Sequence, residues 1–268
     1  MTPGVHRSAA VGFERAGDDY ERGRPGYPKA AVACLAESLG LGPGREALDL
    51  AAGTGKLTRA LATNGAELVA VEPVAGMRRA LEAALPSVRV LKGTAEAIPL
   101  GDSSVDAVLV AQAFHWFDVP AAAAEINRVL RPGGGLGVIW NSWDESVPWV
   151  ERVQRVVHEH VGGAPQQLTS PWEAELAATG RFEPLQRAEF PNLVIGGVDV
   201  LRARVASVSY ISALPEPERR RVLDKVSAIV ESDPSVAGRD EFEMPYTTSV
   251  RWCRARRATQ ARPSTRRR

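Results

Sequence analysis

Between Ala47 and Asn141 short apolar runs alternate with helix-like segments, and no other feature of this chain constrains its fold as strongly. The runs at 47–50, 68–71, 88–91, 107–110 and 136–140 are too short for independent helices. They are rich enough in Val and Leu to be strands buried on both faces. One helix is expected after Gly55, and a second carries Met77, Leu81 and Leu85 on one face at i, i+4, i+8. A third runs through Ala122, Ile126, Val129 and Leu130 and is stopped by Pro132-Gly133. Strand–helix alternation of this kind builds βαβ units, so the expected core is a doubly wound, mostly parallel α/β sheet.

After Asn141 the pattern changes. Val150, Val153, Val157 and Val161 form an apolar stripe at helical spacing, followed by a Gly-Gly-Ala-Pro break at 162–165. A strand is expected at 185–190, then a largely helical stretch from 198 to 230. The segment 241–252 alternates enough to be a last strand, pairing antiparallel at the sheet edge. The expected organisation is one domain over 1–253 with a core at 28–141. Helical insertions at 142–182 and 198–238 would cover the ligand-binding end, and an Arg-rich tail would occupy 254–268. A chain of 268 residues is long enough for this.

The net charge of +1 hides an asymmetry. Seven arginines and no acid fall in 254–268, which leaves −6 for residues 1–253. An acidic body is a poor surface for phosphate backbones, so no nucleic-acid partner is expected, and the tail reads as a solvated terminus. No apolar run is long enough to span a bilayer, and the first sixteen residues lack the apolar stretch of a signal peptide. Cys34 and Cys253 fit neither a disulfide framework nor a metal-ligand pattern. A reduced, cytoplasmic setting is the simplest reading; oligomeric state is not legible.

The segment 47–58, Ala-Leu-Asp-Leu-Ala-Ala-Gly-Thr-Gly-Lys-Leu-Thr, reads as a strand, a small-residue turn and a helix start. Ligands of doubly wound sheets sit at the carboxyl ends of the strands, near the switch in strand order. Gly53 and Gly55 allow a tight turn and a close approach to a ligand. A phosphate loop is excluded, because Leu50 stands at its first glycine position and Leu57 follows Lys56. A dinucleotide fingerprint is weak, because Thr58 replaces its third glycine and Asp49 would face a pyrophosphate. A ligand with positive groups and no diphosphate suits Asp49 better. Glu72, at the end of the second strand, can accept both hydroxyls of a ribose, or it can cap the next helix.

These residues carry a resemblance. Asp49-Leu-Ala-Ala-Gly-Thr-Gly55, Val71-Glu-Pro73, Gly93-Thr-Ala-Glu96, Ser104-Val-Asp106 and Leu130-Arg-Pro-Gly-Gly134 look like successive motifs of class I S-adenosylmethionine (SAM)-dependent methyltransferases. More narrowly they look like the methyltransferase type 11 branch. Gln112-Ala-Phe-His-Trp-Phe117 and Tyr20-Glu-Arg-Gly-Arg-Pro-Gly-Tyr-Pro28 are similar to small-molecule enzymes of the trans-aconitate methyltransferase kind. Ala51 departs from the pattern, standing where the family's Asp-x-Gly-x-Gly has its first glycine, and asks for slightly more room.

The resemblance implies a seven-stranded Rossmann-like methyltransferase fold and SAM as cofactor. It implies that Asp49, Ala51, Gly53, Thr54 and Gly55 line the methionine part, that Glu72 with Pro73 holds the ribose, and that Ala95 and Glu96 meet the adenine edge. Met77 would pack by the adenine, or be core. Gln112 and Ala113 would lie under the reactive methyl, and Tyr20 and Arg24 would close the pocket. Methyl transfer is an in-line displacement that positioning alone can accelerate, and a base is needed only where the acceptor must lose a proton. His115 is the candidate base, or it shapes the pocket floor. Tyr27, Trp116 and Trp140 are candidate contacts to a small acceptor with an oxygen or carboxylate nucleophile, although most tryptophans here read as core first. Arg24 could hold an acidic substrate or the cofactor's own carboxylate. An RNA or protein methyltransferase and a non-catalytic SAM-binding protein are the competing readings.

Overall fold

The computed structural model describes residues 21–162 and 170–256, and in it the five apolar runs are neighbouring strands. They are β1 (Glu46–Leu50), β2 (Glu67–Val71), β3 (Arg89–Leu91), β4 (Val105–Ala111) and β5 (Leu130–Trp143). With β6 (Gln186–Gly196) and β7 (Phe242–Arg254) they form one seven-stranded sheet in the order β3-β2-β1-β4-β5-β7-β6. The first five pair in parallel, whereas β7 is antiparallel to both β5 and β6. Strand order reverses between β1 and β4, which puts the ligand-binding crevice of a doubly wound sheet beyond their carboxyl ends.

The helices of the core are α1 (Lys29–Leu39), α2 (Lys56–Leu61), α3 (Ala75–Ala84) and α4 (Val119–Val129). Alternate strand residues serve opposite faces of the sheet. Leu48, Leu50, Val108, Val110, Val138 and Trp140 pack with Ile126 of α4. Ala47, Ala107, Leu109 and Ile139 pack with Leu35 and Leu39 of α1 and Leu57 and Leu61 of α2. Both faces are therefore covered, which is why these strands read as continuous apolar runs.

Over the second half lie α5 (Pro148–His158), α6 (Trp172–Ala178), α7 (Val198–Ala206), α8 (Ser209–Ser212) and α9 (Glu216–Ser232). Val150, Val153 and Val157 of α5 meet Val222, Val226 and Val230 of α9 and Leu201 and Val205 of α7 in a separate cluster, the core of a cap. No helix among the described residues is long and apolar enough to cross a membrane.

Four sequence expectations need correction. The third helix ends at Val129 and Leu130 opens β5, so Pro132 and Gly133 lie within the strand, where the register with β4 shifts and a missing N–H is tolerated. The last strand lies between β5 and β6 rather than at the edge; the edge strand is β6, which continues past Phe190 and exposes Leu193 and Ile195. Arg254 belongs to β7, with its guanidinium donating to the carbonyls of Ser38, Leu39 and Gly133. Leu85 and Val161 fall beyond the ends of α3 and α5. The rest of the tail from 257, and Tyr20, lie outside the described residues.

Candidate functional site

The turn after β1 is built by its backbone. Ala51, Gly53 and Gly55 have φ of 59°, 59° and 84°, three left-handed residues within five. A Cβ on Gly55 would stand 2.9 Å from Leu81 Cγ, so the loop lies directly on α3 and only glycine fits there. Ala51 holds the same kind of dihedral with a side chain, so its departure from glycine is a backbone strain rather than a question of room. Across the strand-order switch, Gln112 at the end of β4 has φ 59° as well. Strained residues at the ends of both central strands, lining one cleft, mark this crevice as a functional site.

Two buried carboxylates flank the turn. Glu72 is 4% exposed and accepts from the backbone N–H of Gly53 at 2.9 Å and of Val74 at 2.8 Å, so it ties the β1 turn to the β2 turn. Burial pushes its pKa up to about 7, against the lowering effect of those two amides and Arg78. Asp49 is fully buried; one carboxylate oxygen accepts from Thr58 Oγ1 at 2.5 Å and the other has no partner. Burial raises its pKa to about 6, with the Thr58 hydrogen bonds working the other way. Buried acids with open acceptor capacity beside a left-handed loop suit a ligand rich in hydroxyl and cationic donors, which is what the ribose and methionine parts of SAM present. These acceptors fit that cofactor.

The other wall is a strap of N-terminal chain. Glu21 accepts from Thr54 Oγ1 at 2.9 Å and Arg59 at 2.9 Å, and its carbonyl accepts from Lys56 Nζ at 2.8 Å. Asn141, at the carboxyl end of β5, donates to the Gly26 carbonyl at 3.0 Å and accepts from Thr248 Oγ1 and from Asn192 Nδ2. Arg24 donates from Nε to Ser207 Oγ at 3.0 Å and from Nη2 to the Ser207 carbonyl at 3.1 Å, binding the strap to the cap. The cleft so formed is lined by Arg24, Tyr27, Ala51, Thr54, Gln112 and Arg204, among others.

Arg24, Tyr27, Ala51, Thr54 and Gln112 line one crevice, whereas Asp49, Gly53, Gly55 and Glu72, with Pro73 after it, belong to the turns behind that lining, where Glu72 accepts from Gly53 and Asp49 from Thr58. Met77 and Ala95 are buried, Ala95 in the core cluster of the β-sheet. Glu96 accepts from the Asp118 N–H at 3.1 Å, and its second oxygen is buried without a partner. Ala113 precedes a single 3-10 turn, Phe114–Trp116, that carries His115. The His115 ring is packed against Trp116, 4.8 Å between centroids. Its Nδ1 has no partner, and burial, then the nearby Arg24 charge, lowers its pKa to about 4. Trp140 requires correction as a substrate contact: β-strand alternation turns it into the core against Trp172, while its neighbour Asn141 points to the strap. Asn141, Lys56, Thr58 and Arg204 were not legible as site residues. Thr58 and Lys56 had a signal in their position after Gly55; Arg204, distant in sequence, had none.

Comparison with known proteins decides what the crevice belongs to. Residues 48–138, which span β1 to β5, match the methyltransferase domain family. An uncharacterised methyltransferase of Mycobacterium tuberculosis is 40% identical over 244 residues, 90% of this chain and 95% of that one. The chain belongs to the class I SAM-dependent methyltransferases. It is an enzyme of that family, and SAM is its cofactor. A second relative of this methyltransferase, a methyltransferase-like protein of Schizosaccharomyces pombe, is 37% identical over 86% of this chain and 90% of its own length. The YcgJ protein of Bacillus subtilis shares its fold with a TM-score of 0.57 at 17% identity, covering 86% of this chain and all of that one.

Proposed function

We propose that this methyltransferase acts on a small molecule with an oxygen nucleophile, a hydroxyl or a carboxylate. The observation that carries the reading is the closure of the crevice. The strap crosses the carboxyl ends of β1, β4 and β5 and is fastened at Glu21 to the β1 turn, at Gly26 to Asn141 and at Arg24 to the cap. A cleft walled on three sides suits a compact acceptor and gives a folded polymer little access.

In this reading Glu72 accepts the ribose hydroxyls while its two backbone hydrogen bonds hold it in place, and Pro73 fixes the turn behind it. Asp49, with Ala51, Gly53, Thr54 and Gly55, lines the methionine part, and the unpartnered Asp49 oxygen faces positive charge. Ala95, Glu96 and Met77 border the adenine, and Gln112 and Ala113 lie beneath the methyl group. SAM supplies a methyl carbon already activated by sulfonium sulfur. Held by Glu72 and the β1 turn, it would supply that methyl to the acceptor oxygen and leave as a neutral thioether. A carboxylate becomes a neutral ester with no proton to lose, and a hydroxyl must give one up to solvent water. His115, neutral and held at about 4, is a weak base, so it shapes the floor with Trp116 and the rate comes from positioning. Tyr27 and Arg24 hold the strap over the acceptor.

Methyl-labelled SAM and the protein, incubated separately with low-molecular-weight, RNA and protein fractions of a cell extract, test this reading. Label is expected in the low-molecular-weight fraction. Label confined to RNA or protein would replace the reading with the polymer one.

A further inference from the structure

Among the described residues, Arg204 is a buried cation without a counter-charge. It lies on α7 and is 8% exposed, yet its Nε and Nη1 have no hydrogen-bond acceptor. Its guanidinium lies 5.6 Å from the centre of the Trp143 ring, which stacks on Tyr246 at 4.2 Å, and it interacts with the Tyr246 hydroxyl. Trp143 and Tyr246 belong to the apolar core of the cap. Removing a guanidinium from water costs several kcal/mol, and a ring face with one phenol returns only part of that. Replacing such a group by an apolar one of similar volume is often neutral or stabilising. Packing alone therefore does not account for this arginine.

Arg204 also borders the cleft, whose described lining includes Arg24 and Lys56 and no carboxylate. Those two cations already have partners: Arg24 is fixed by Ser207, and Lys56 is bonded to the Glu21 carbonyl and 3.5 Å from its carboxylate. Arg204 retains two buried donors, Nε and Nη1, without a partner among the described residues. It belongs to the cap, whereas the cofactor's candidate contacts Asp49 and Glu72 belong to the sheet core.

We propose that Arg204 anchors a carboxylate of the methyl acceptor, separate from the oxygen that is methylated. The substrate class is then an organic acid that carries a second nucleophilic oxygen. A planar carboxylate in the cleft supplies the acceptors that Nε and Nη1 lack, at the centre of a charge-assisted contact in a low-dielectric pocket. Trp143 and Tyr246 form the apolar wall beside it. The assignment rests on the small-molecule reading above.

The test uses the full chain saturated with S-adenosylhomocysteine and four probes: phenylacetate, glutarate and their amides, phenylacetamide and glutaramide. Binding is read by calorimetry and thermal melting. The wild type is expected to bind at least one carboxylate at least ten-fold more tightly than its amide. Arg204→Met should abolish that preference, and Arg204→Lys should retain part of it. Both variants should bind S-adenosylhomocysteine within three-fold of wild type. Without ligand, Arg204→Met should melt at or above the wild-type temperature, an outcome that a structural arginine would not give. Equal binding of carboxylates and amides by the wild type would overturn the proposal. So would a large loss of S-adenosylhomocysteine affinity in Arg204→Met, which would assign the arginine to the cofactor's own carboxylate, or a lower melting temperature, which would assign it to the fold. Failure of the wild type to bind S-adenosylhomocysteine would instead remove the reading on which the proposal rests.

Discussion

Ala51 holds a left-handed backbone at the end of β1, where an L side chain costs about 1–2 kcal/mol that glycine does not. Part of the gain from glycine returns as unfolded-state entropy, about 0.5–1 kcal/mol. Ala51→Gly is therefore expected to stabilise the protein by up to about 1 kcal/mol, read as a melting temperature higher by roughly 2–4 °C for a chain of this size. A lower melting temperature would mean that the methyl packing outweighs the strain. The sequence pattern marked Ala51 as a departure, but a pattern carries no dihedral, so the nature of the departure became visible only in the structure. The same limit applies to Asp106. Its motif was recognised, yet its carboxylate ties Arg45, Arg131 and the Glu46 N–H at the opposite end of the sheet, well away from the crevice. Glu72 was legible because a strand end followed by proline fixes where its side chain lies. Arg204 was not, because its burial depends on Trp143 and Tyr246, which lie 61 and 42 positions away.

The strap and the cap meet backbone to backbone. A Cβ at Gly23 would stand 2.2 Å from Arg204 N, 2.4 Å from Ala203 C and 2.5 Å from Arg204 Cα, and a helix backbone cannot yield as a side-chain tip can. Gly23→Ala should lift the strap from α7 at a cost of about 1–3 kcal/mol. Gly26→Ala is the control, since a Cβ there meets nothing within 4 Å. Urea denaturation should separate the two, with Gly23→Ala clearly less stable and Gly26→Ala within about 0.5 kcal/mol of wild type. Equal stability would contradict the contact. The helical periods of α3, α4 and α5 could be read because each buries one face. The long β5 and β6 were foreshortened: Pro132-Gly133 read as the stop of a helix, and β6 runs on through Pro191 beyond the strand expected at 185–190.

At the scale of the whole molecule, the parallel core was legible because burial on both faces writes the same apolar run into every central strand. The placement of β7 between β5 and β6 was not, since edge and interior antiparallel strands alternate alike. The molecule carries two acids at its centre, Asp49 and Glu72, whose pKa values are raised to about 6 and about 7. A raised carboxylate pKa favours the folded state below the unfolded values near 4, and this contribution is lost as pH rises through 6 and then 7. Ligand-free protein is thereby less stable at pH 8 than at pH 5.5 as far as these two groups decide it. A ligand that donates to the ionised carboxylates reverses the preference, so binding releases protons in that range and strengthens with pH. The central claim is that Glu72 and the β1 turn hold the adenosyl cofactor. The most direct measurement is a calorimetric titration of the protein with SAM at pH 8 and pH 5.5, beside Glu72→Ala. We predict binding at pH 8, weaker by about ten-fold at pH 5.5, and lost or reduced by a similar factor in the variant at pH 8. A folded Glu72→Ala protein that binds SAM as tightly as wild type, with the same dependence on pH, would contradict the account.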